Sequence, residues 1–210
     1  GATLEFIETV VAFARRHGIA VLHDACYTEV AYDGYRAPSF LQVKGARGVG
    51  LEFHSLSKTY NMTGWRVGMA VGNAALVNAL FRVKSNIDSG IPGAIQQMAI
   101  AALTGPQEYL AERNRVYQRR RDRLVPVLGR LGLALLPPKA GLYLWARVPP
   151  GFTSVGFATL LLEELSIVVT PGTGYGQGGE GYVRLSLTLP DEHLEKAVGR
   201  LSAWKVPARP

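Results

Sequence analysis

Lys58 sits in the run Ser55-Leu56-Ser57-Lys58-Thr59-Tyr60, with Arg66 downstream and Asp24-Ala25-Cys26-Tyr27 upstream. A lysine amine condenses with a carbonyl to form a Schiff base. A carboxylate aimed at a pyridine nitrogen keeps it protonated, and the ring then accepts electrons from a carbanion. A tyrosine hydroxyl donates to a phenolate oxygen. Serine hydroxyls and a guanidinium suit a phosphate, the guanidinium through its two-pronged donor fork. A lysine, a carboxylate, a tyrosine, serine hydroxyls and an arginine are the parts of a pyridoxal-phosphate site. Each has an ordinary explanation taken alone. Asp24 could cap a turn, Lys58 could be a surface lysine, and Arg66 and Arg184 could sit in structural ion pairs. Cys26 reads as a small buried hydrophobe rather than a nucleophile. Chance alone rarely assembles all of them in one pattern.

For these residues to meet, secondary structure must carry them to one place. Residues 3–17 read as a helix capped by Thr3 and ended by Gly18. Ile19–His23 is a short β-branched apolar run that suits a buried parallel strand, with Asp24 at its end. A second strand over residues 49–53 leads into His54-Ser55-Leu56-Ser57-Lys58, and a third covers Trp65–Val71. About 25 residues separate the first two strands, enough for a parallel crossover. About 11 separate the second and third, too few, so the third runs antiparallel. Asp24, Ser55, Lys58 and Arg66 then converge on one edge of the sheet, where open α/β sheets bind ligands. Helices come next at 74–86 and 93–104, then a long Arg-rich helix opened by Pro106 and Glu108 and ending near Gly132. Leu110, Tyr117, Leu124, Leu128 and Leu131 recur along it at helical spacing, which puts Arg113, Arg115, Arg119, Arg120, Arg121 and Arg123 on its solvated side. Beyond it lie strands at Leu142–Val148, Ile167–Thr170 and Tyr182–Thr188 and helices at 154–165 and 191–204. The expected division is 1–105, a linking helix at 106–132, and a smaller α+β domain at 133–210.

The order and spacing of these motifs resemble the class I/II aminotransferases of fold type I along essentially the whole chain. The signature is Asp24-Ala25-Cys26-Tyr27, then Ser55-Leu56-Ser57-Lys58-Thr59-Tyr60-Asn61-Met62-Thr63-Gly64-Trp65-Arg66-Val67-Gly68, then Tyr182-Val183-Arg184-Leu185-Ser186. The resemblance implies an α/β fold, the C-terminal part of the large mixed-sheet domain plus the small C-terminal domain. It implies that Lys58 is the Schiff-base lysine and proton shuttle. Asp24 would pair with the pyridinium nitrogen, Tyr27 would donate to the phenolic oxygen, and Ser55, Ser57 and Arg66 would hold the phosphate. Arg184 would clamp the substrate α-carboxylate. Amino-acid and 2-oxo-acid substrates, a homodimer and a cytoplasmic setting are implied by the same likeness. Ser85–Pro92, Val168–Gly172 and Gly179–Arg184 resemble the LL-diaminopimelate, alanine and aspartate aminotransferase group most, with the LL-diaminopimelate type favoured.

The resemblance starts just after the family's Asn-Pro-x-Asn-Pro-Thr-Gly segment, with Gly1 matching its last glycine. The chain is thus expected to be the C-terminal half of such an enzyme, weakly active or inactive by itself. The segment's asparagine, a phosphate-binding helix N-terminus, a ring-stacking aromatic and a tyrosine from the neighbouring subunit would all lie outside it. A β-lyase on the same scaffold, or a non-catalytic binding module, would carry the same motifs.

Composition narrows the alternatives. Hydrophobic residues make up 48% and charged residues 19%, as a folded core requires. No apolar run nears the ~20 residues of a membrane helix, and the start has no basic leader. Cys26 is the one cysteine, so no internal disulfide can form, and a reducing compartment is compatible. The four histidines lack metal-ligand spacing. The net charge of +7 raises nucleic acid as a partner, but no nucleic-acid motif accompanies it and a solvated helix face explains the arginines better. Gly174-Tyr175-Gly176-Gln177-Gly178-Gly179 contains G-x-G-x-x-G, yet the next regular element reads as a strand rather than the helix of a dinucleotide site.

Overall fold

Thr3 is extended and its hydroxyl accepts the Phe6 amide, which starts α1 (Leu4–His17). Glu5 lies in the first turn, Arg15, Arg16 and His17 lie in the last, and Gly18 ends the helix in the left-handed conformation. Ile7 and Val11 form its buried stripe and pack with Phe40, Val43 and Ala46. The computed structural model describes residues 2–207. They fall into two compact units, Gly1–Glu112 and Arg113–Pro210.

The sheet of the first unit has the order β1 (Val21–Asp24), β2 (Gly50–Ser55), β3 (Gly68–Gly72). β1 pairs parallel with β2 and β3 pairs antiparallel with it, as the connection lengths predict. The third strand starts later than the expected Trp65. Trp65 closes a 3-10 turn over Thr63–Trp65, and Arg66 has φ 53° and ψ 48°, a left-handed inversion that no strand accommodates. Gly68 is the register partner of Ser55. A Cβ on Gly68 would meet the His54 carbonyl oxygen at 2.6 Å, so the close approach of the two strands requires glycine there. The one-turn helix α2 (Leu56–Thr59) continues from β2, and α3 (Ala74–Lys84) and α4 (Gly93–Thr104) complete the unit. Leu56, Met62, Val67 and Ala99 form its second buried cluster.

The boundary between the units falls inside α5 (Glu108–Arg130). The second unit holds β4 (Tyr143–Arg147), α6 (Ser154–Leu165), β5 (Thr170–Pro171), β6 (Tyr182–Ser186) and α7 (Asp191–Ala203). Its sheet is antiparallel in the order β4-β6-β5. Leu144, Ala146, Val183, Leu187 and Phe157 are completely enclosed and pack with Leu124 and Leu128 of α5 and Leu194, Val198 and Leu201 of α7. Two expectations need correction. The strand predicted at Ile167–Thr170 shrinks to β5, because Ser166 caps α6 in the left-handed conformation and the Ile167 amide bonds the Leu161 carbonyl. That donor closes the helix instead of joining a ladder. Arg121 is also not on a solvated face: it is 4% exposed, donating from Nη1 to the Pro138 carbonyl at 2.9 Å and from Nε to Asp122 at 2.8 Å. Arg120 and Arg123 likewise reach within the unit, to Asp191 at 2.6 Å and Glu195 at 2.9 Å. Those two arginines are committed to folding contacts.

Candidate functional site

Asp24 ends β1 and Ser55 ends β2, so the parallel pairing brings both to the carboxyl end of the sheet. Asp24 is level with Phe53, and Ser55 is two residues on, so alternation puts Asp24 and Ser55 on the same face. Ser55 also caps α2, its Oγ accepting the Ser57 amide at 3.2 Å. The helical turn that this cap starts carries Lys58, whose Nζ lies 5.8 Å from the centre of the Tyr27 ring. Tyr27 stands in the turn that leaves β1. Arg66 is exposed, two residues ahead of Ser55's partner Gly68, and its Nη1 donates to the Thr63 carbonyl at 2.9 Å. Ser57 is buried, and its carbonyl accepts the Thr63 hydroxyl at 3.2 Å. The structure therefore gathers Asp24, Tyr27, Ser55, Ser57, Lys58 and Arg66 at one end of one sheet.

The local electrostatics separate two neighbouring groups. The Cys26 thiol, and then the Cys26 amide at 3.2 Å, hold the Asp24 carboxyl below the usual carboxylate range. Burial first, then the same Asp24, push the Cys26 thiol up to about 11. Asp24 is thus ionised and Cys26 a neutral thiol near pH 7. The donor set amounts to one carboxylate, one phenol, two hydroxyls, one amine and one guanidinium. It matches the ring nitrogen, phenolic oxygen, phosphate and aldehyde of pyridoxal phosphate group for group, so the residues present fit that cofactor.

Arg184 belongs to the second unit, in β6 opposite Trp145 of β4. Its guanidinium carbon lies 4.1 Å from the ring centre of Tyr143 and 4.8 Å from that of Tyr175. No carboxylate among the described residues forms an ion pair with it. A guanidinium flanked by rings and lacking an acidic partner is a ready receptor for an external carboxylate. Trp145 stacks on Tyr182 with ring centres 5.4 Å apart. Sequence reasoning found Arg184 but missed both flanking tyrosines. The alternation Tyr143-Leu144-Trp145 opposite Ser186-Leu185-Arg184 could have shown Tyr143. Tyr175 gave no such signal, since it sits in the 3-10 turn Gly172–Tyr175 of the Gly-rich loop. That loop continues through Gln177–Gly179 into β6, so its G-x-G-x-x-G does not open a helix.

Among the described residues, no helix is long and apolar enough to cross a membrane, and no cluster of His, Cys, Asp and Glu could hold a metal ion. The model of the family "Aminotransferase class I and II" matches residues 1–201. The chain is 60% identical over 204 residues to an LL-diaminopimelate aminotransferase of Dehalococcoides mccartyi, covering 97% of this chain and 53% of that protein. Its fold superposes on apo-BacF of Bacillus subtilis with a TM-score of 0.90 at 36% identity, covering 98% of this chain and 53% of that one. An aminotransferase of Staphylococcus aureus matches with a TM-score of 0.90 at 38% identity, over 96% and 53% of the two chains. The chain thus spans about half the length of the relatives it matches. With its sheet, its lysine-bearing turn and its arginine strand, the chain belongs to the class I and II aminotransferase family.

Proposed function

We propose that the chain forms the lysine-bearing, carboxylate-binding part of a pyridoxal-phosphate-dependent aminotransferase. The enzyme moves the α-amino group of an L-amino acid to a 2-oxo acid, takes LL-diaminopimelate as its amino donor, and works as a homodimer in the cytoplasm. The observation that carries this reading is the gathering of Asp24, Tyr27, Ser55, Lys58 and Arg66 at one sheet end. The choice of amino donor rests on the name of the Dehalococcoides relative at 60% identity.

Pyridoxal phosphate, when bound, supplies an aldehyde that condenses with an amine and a ring that takes up the electron pair of the substrate α-carbon. Ser55 Oγ and the Arg66 guanidinium hold the phosphate, with Ser57 assisting. Asp24 stays ionised beside Cys26 and so would favour a proton on the ring nitrogen of the bound cofactor. Tyr27 would donate its phenolic hydrogen to the cofactor's ring oxygen. Lys58 Nζ would anchor the cofactor and would serve as the general base for the substrate α-proton. Arg184 receives the α-carboxylate and orients the α-carbon. The domains divide the work: 1–105 carries the cofactor residues, 106–132 links, and 133–210 supplies the carboxylate clamp.

Borohydride reduction after titration with pyridoxal phosphate, followed by peptide mapping, tests the reading. The adduct is expected on Lys58 and absent from Lys58→Ala. A saturable adduct that persists in Lys58→Ala refutes it. Turnover of LL-diaminopimelate against aspartate and alanine, each with a 2-oxo acid, tests the donor.

A further inference from the structure

Asp24 and Ser55 each come directly after a histidine, and both histidines bond to one buried carboxylate. Glu52 lies in the middle strand β2 and is 2% exposed. His23 is its Cα partner across the parallel pair, with Nδ1 3.1 Å from Glu52 Oε2. His54, two residues along β2, places Nε2 2.7 Å from Oε1. Ser39 Oγ donates to the two oxygens at 3.0 and 2.9 Å, and the Phe40 amide donates to Oε2 at 2.6 Å. Every neighbour is a donor, so the carboxylate accepts throughout and the bonded nitrogen of each imidazole carries its hydrogen. Burial by itself would raise the Glu52 carboxyl, but bonds from His23, Ser39, Phe40 and His54 outweigh it and hold it below the usual range.

Strand alternation places His23, Glu52 and His54 on one face of the sheet and Asp24 and Ser55 on the other. The carboxylate therefore grips, from behind, the residue that precedes each of two site residues. None of the chemistry assigned to the site uses it. We propose that Glu52 is a positioning residue: by clamping His23 and His54 it fixes where Asp24 and Ser55 emerge on the front face, and hence the spacing of the ring-nitrogen and phosphate contacts. This rests on the pyridoxal-phosphate reading of the site. The Ser39–Phe40 arm ties in the segment around residues 39–43 and reaches neither site residue, so it separates anchoring from positioning.

Three variants test the assignment through the dissociation constant for pyridoxal phosphate and the pH titration of the Lys58-adduct absorbance. Glu52→Gln turns one acceptor into a donor facing donors, and is expected to weaken binding roughly tenfold or more and to move the absorbance titration. His54→Ala, at a partly exposed position, releases one sheet end alone and is expected to weaken binding severalfold. It carries the test if Glu52→Gln does not fold. Ser39→Ala is expected to lower the melting temperature yet leave the dissociation constant within about twofold, because both sheet ends stay clamped. Wild-type affinity and an unmoved absorbance titration in Glu52→Gln and His54→Ala, with melting temperature alone reduced, would overturn the positioning role while leaving the Lys58 adduct intact. A wild-type protein that forms no adduct at Lys58 overturns the cofactor reading, and this proposal with it.

Discussion

Replacing Tyr143 by Leu removes the nearer of the two rings that flank Arg184. The guanidinium carbon is 4.1 Å from that ring centre, well inside the ~6 Å reach of a cation–π contact. Such contacts contribute about 0.5–1 kcal/mol at exposed sites and about 2 when desolvated. Arg184 is half-buried, so about 1 kcal/mol of orienting energy is at stake, or roughly a fivefold change in binding constant. On the proposed reading, the substrate α-carboxylate held by Arg184 keeps its charge and bonding through amino transfer. Its receptor therefore binds ground state and transition state alike, and weakening it raises KM while leaving kcat unchanged. In the intact enzyme, steady-state kinetics over a range of amino-acid concentrations should show KM for Tyr143→Leu up roughly fivefold at constant kcat. Tyr175 is farther, at 4.8 Å, and half exposed, so Tyr175→Leu should raise KM about twofold. Tyr143→Phe keeps the ring and should raise KM less than Tyr143→Leu does. An unchanged KM in Tyr143→Leu refutes the reasoning, and so does an equal fall in kcat and kcat/KM.

Cys26, with its thiol pushed up to about 11, should react with iodoacetamide about a hundredfold more slowly than an unperturbed cysteine near pH 7.5, since only the thiolate attacks. Labelling at the rate of a free thiol would contradict the Asp24–Cys26 geometry. Glu52 is held below its usual range, so the stability it contributes is present above the unfolded value of about 4.3 and is lost as pH falls through the folded one. Urea midpoints measured down to about pH 3 should fall more steeply for the wild type than for Glu52→Gln, and parallel curves would refute this. Phe157 is fully enclosed in the second unit, and Phe157→Ala should cost about 3–5 kcal/mol in chemical denaturation. A loss below about 1 kcal/mol would mean that the cavity collapses or that this core is not formed.

The features legible in the sequence were local ones. Ser55 and Lys58 are three residues apart, so a hydroxyl that caps a turn and an amine carried on that turn can be read from spacing alone. The strand directions could be read from connection lengths, because a parallel crossover needs more chain than the stretch between β2 and β3 supplies. The features that escaped depend on partners distant in sequence. Glu52 reads as one polar residue in a short strand, and its donors stand 29 and 13 residues away at His23 and Ser39. Arg121 shares its helix with solvated arginines, and only the Pro138 carbonyl, 17 residues on, makes it a buried one. The Arg66 inversion was hidden too, because Arg is an ordinary residue for a strand and nothing in its type announces a left-handed backbone.

That inversion sets two demands on one position. A non-glycine residue in the left-handed region costs about 1–2 kcal/mol relative to a relaxed backbone, and glycine would escape most of it. Glycine has no guanidinium to offer an anion. On the proposed phosphate-binding role, the substitution that relieves the backbone at position 66 is therefore the one that removes the anion contact, and a search for thermostable variants that ignores function should drift toward it. On that role, stability and activity are traded against each other inside a single residue, with the backbone carrying the cost and the side chain the benefit.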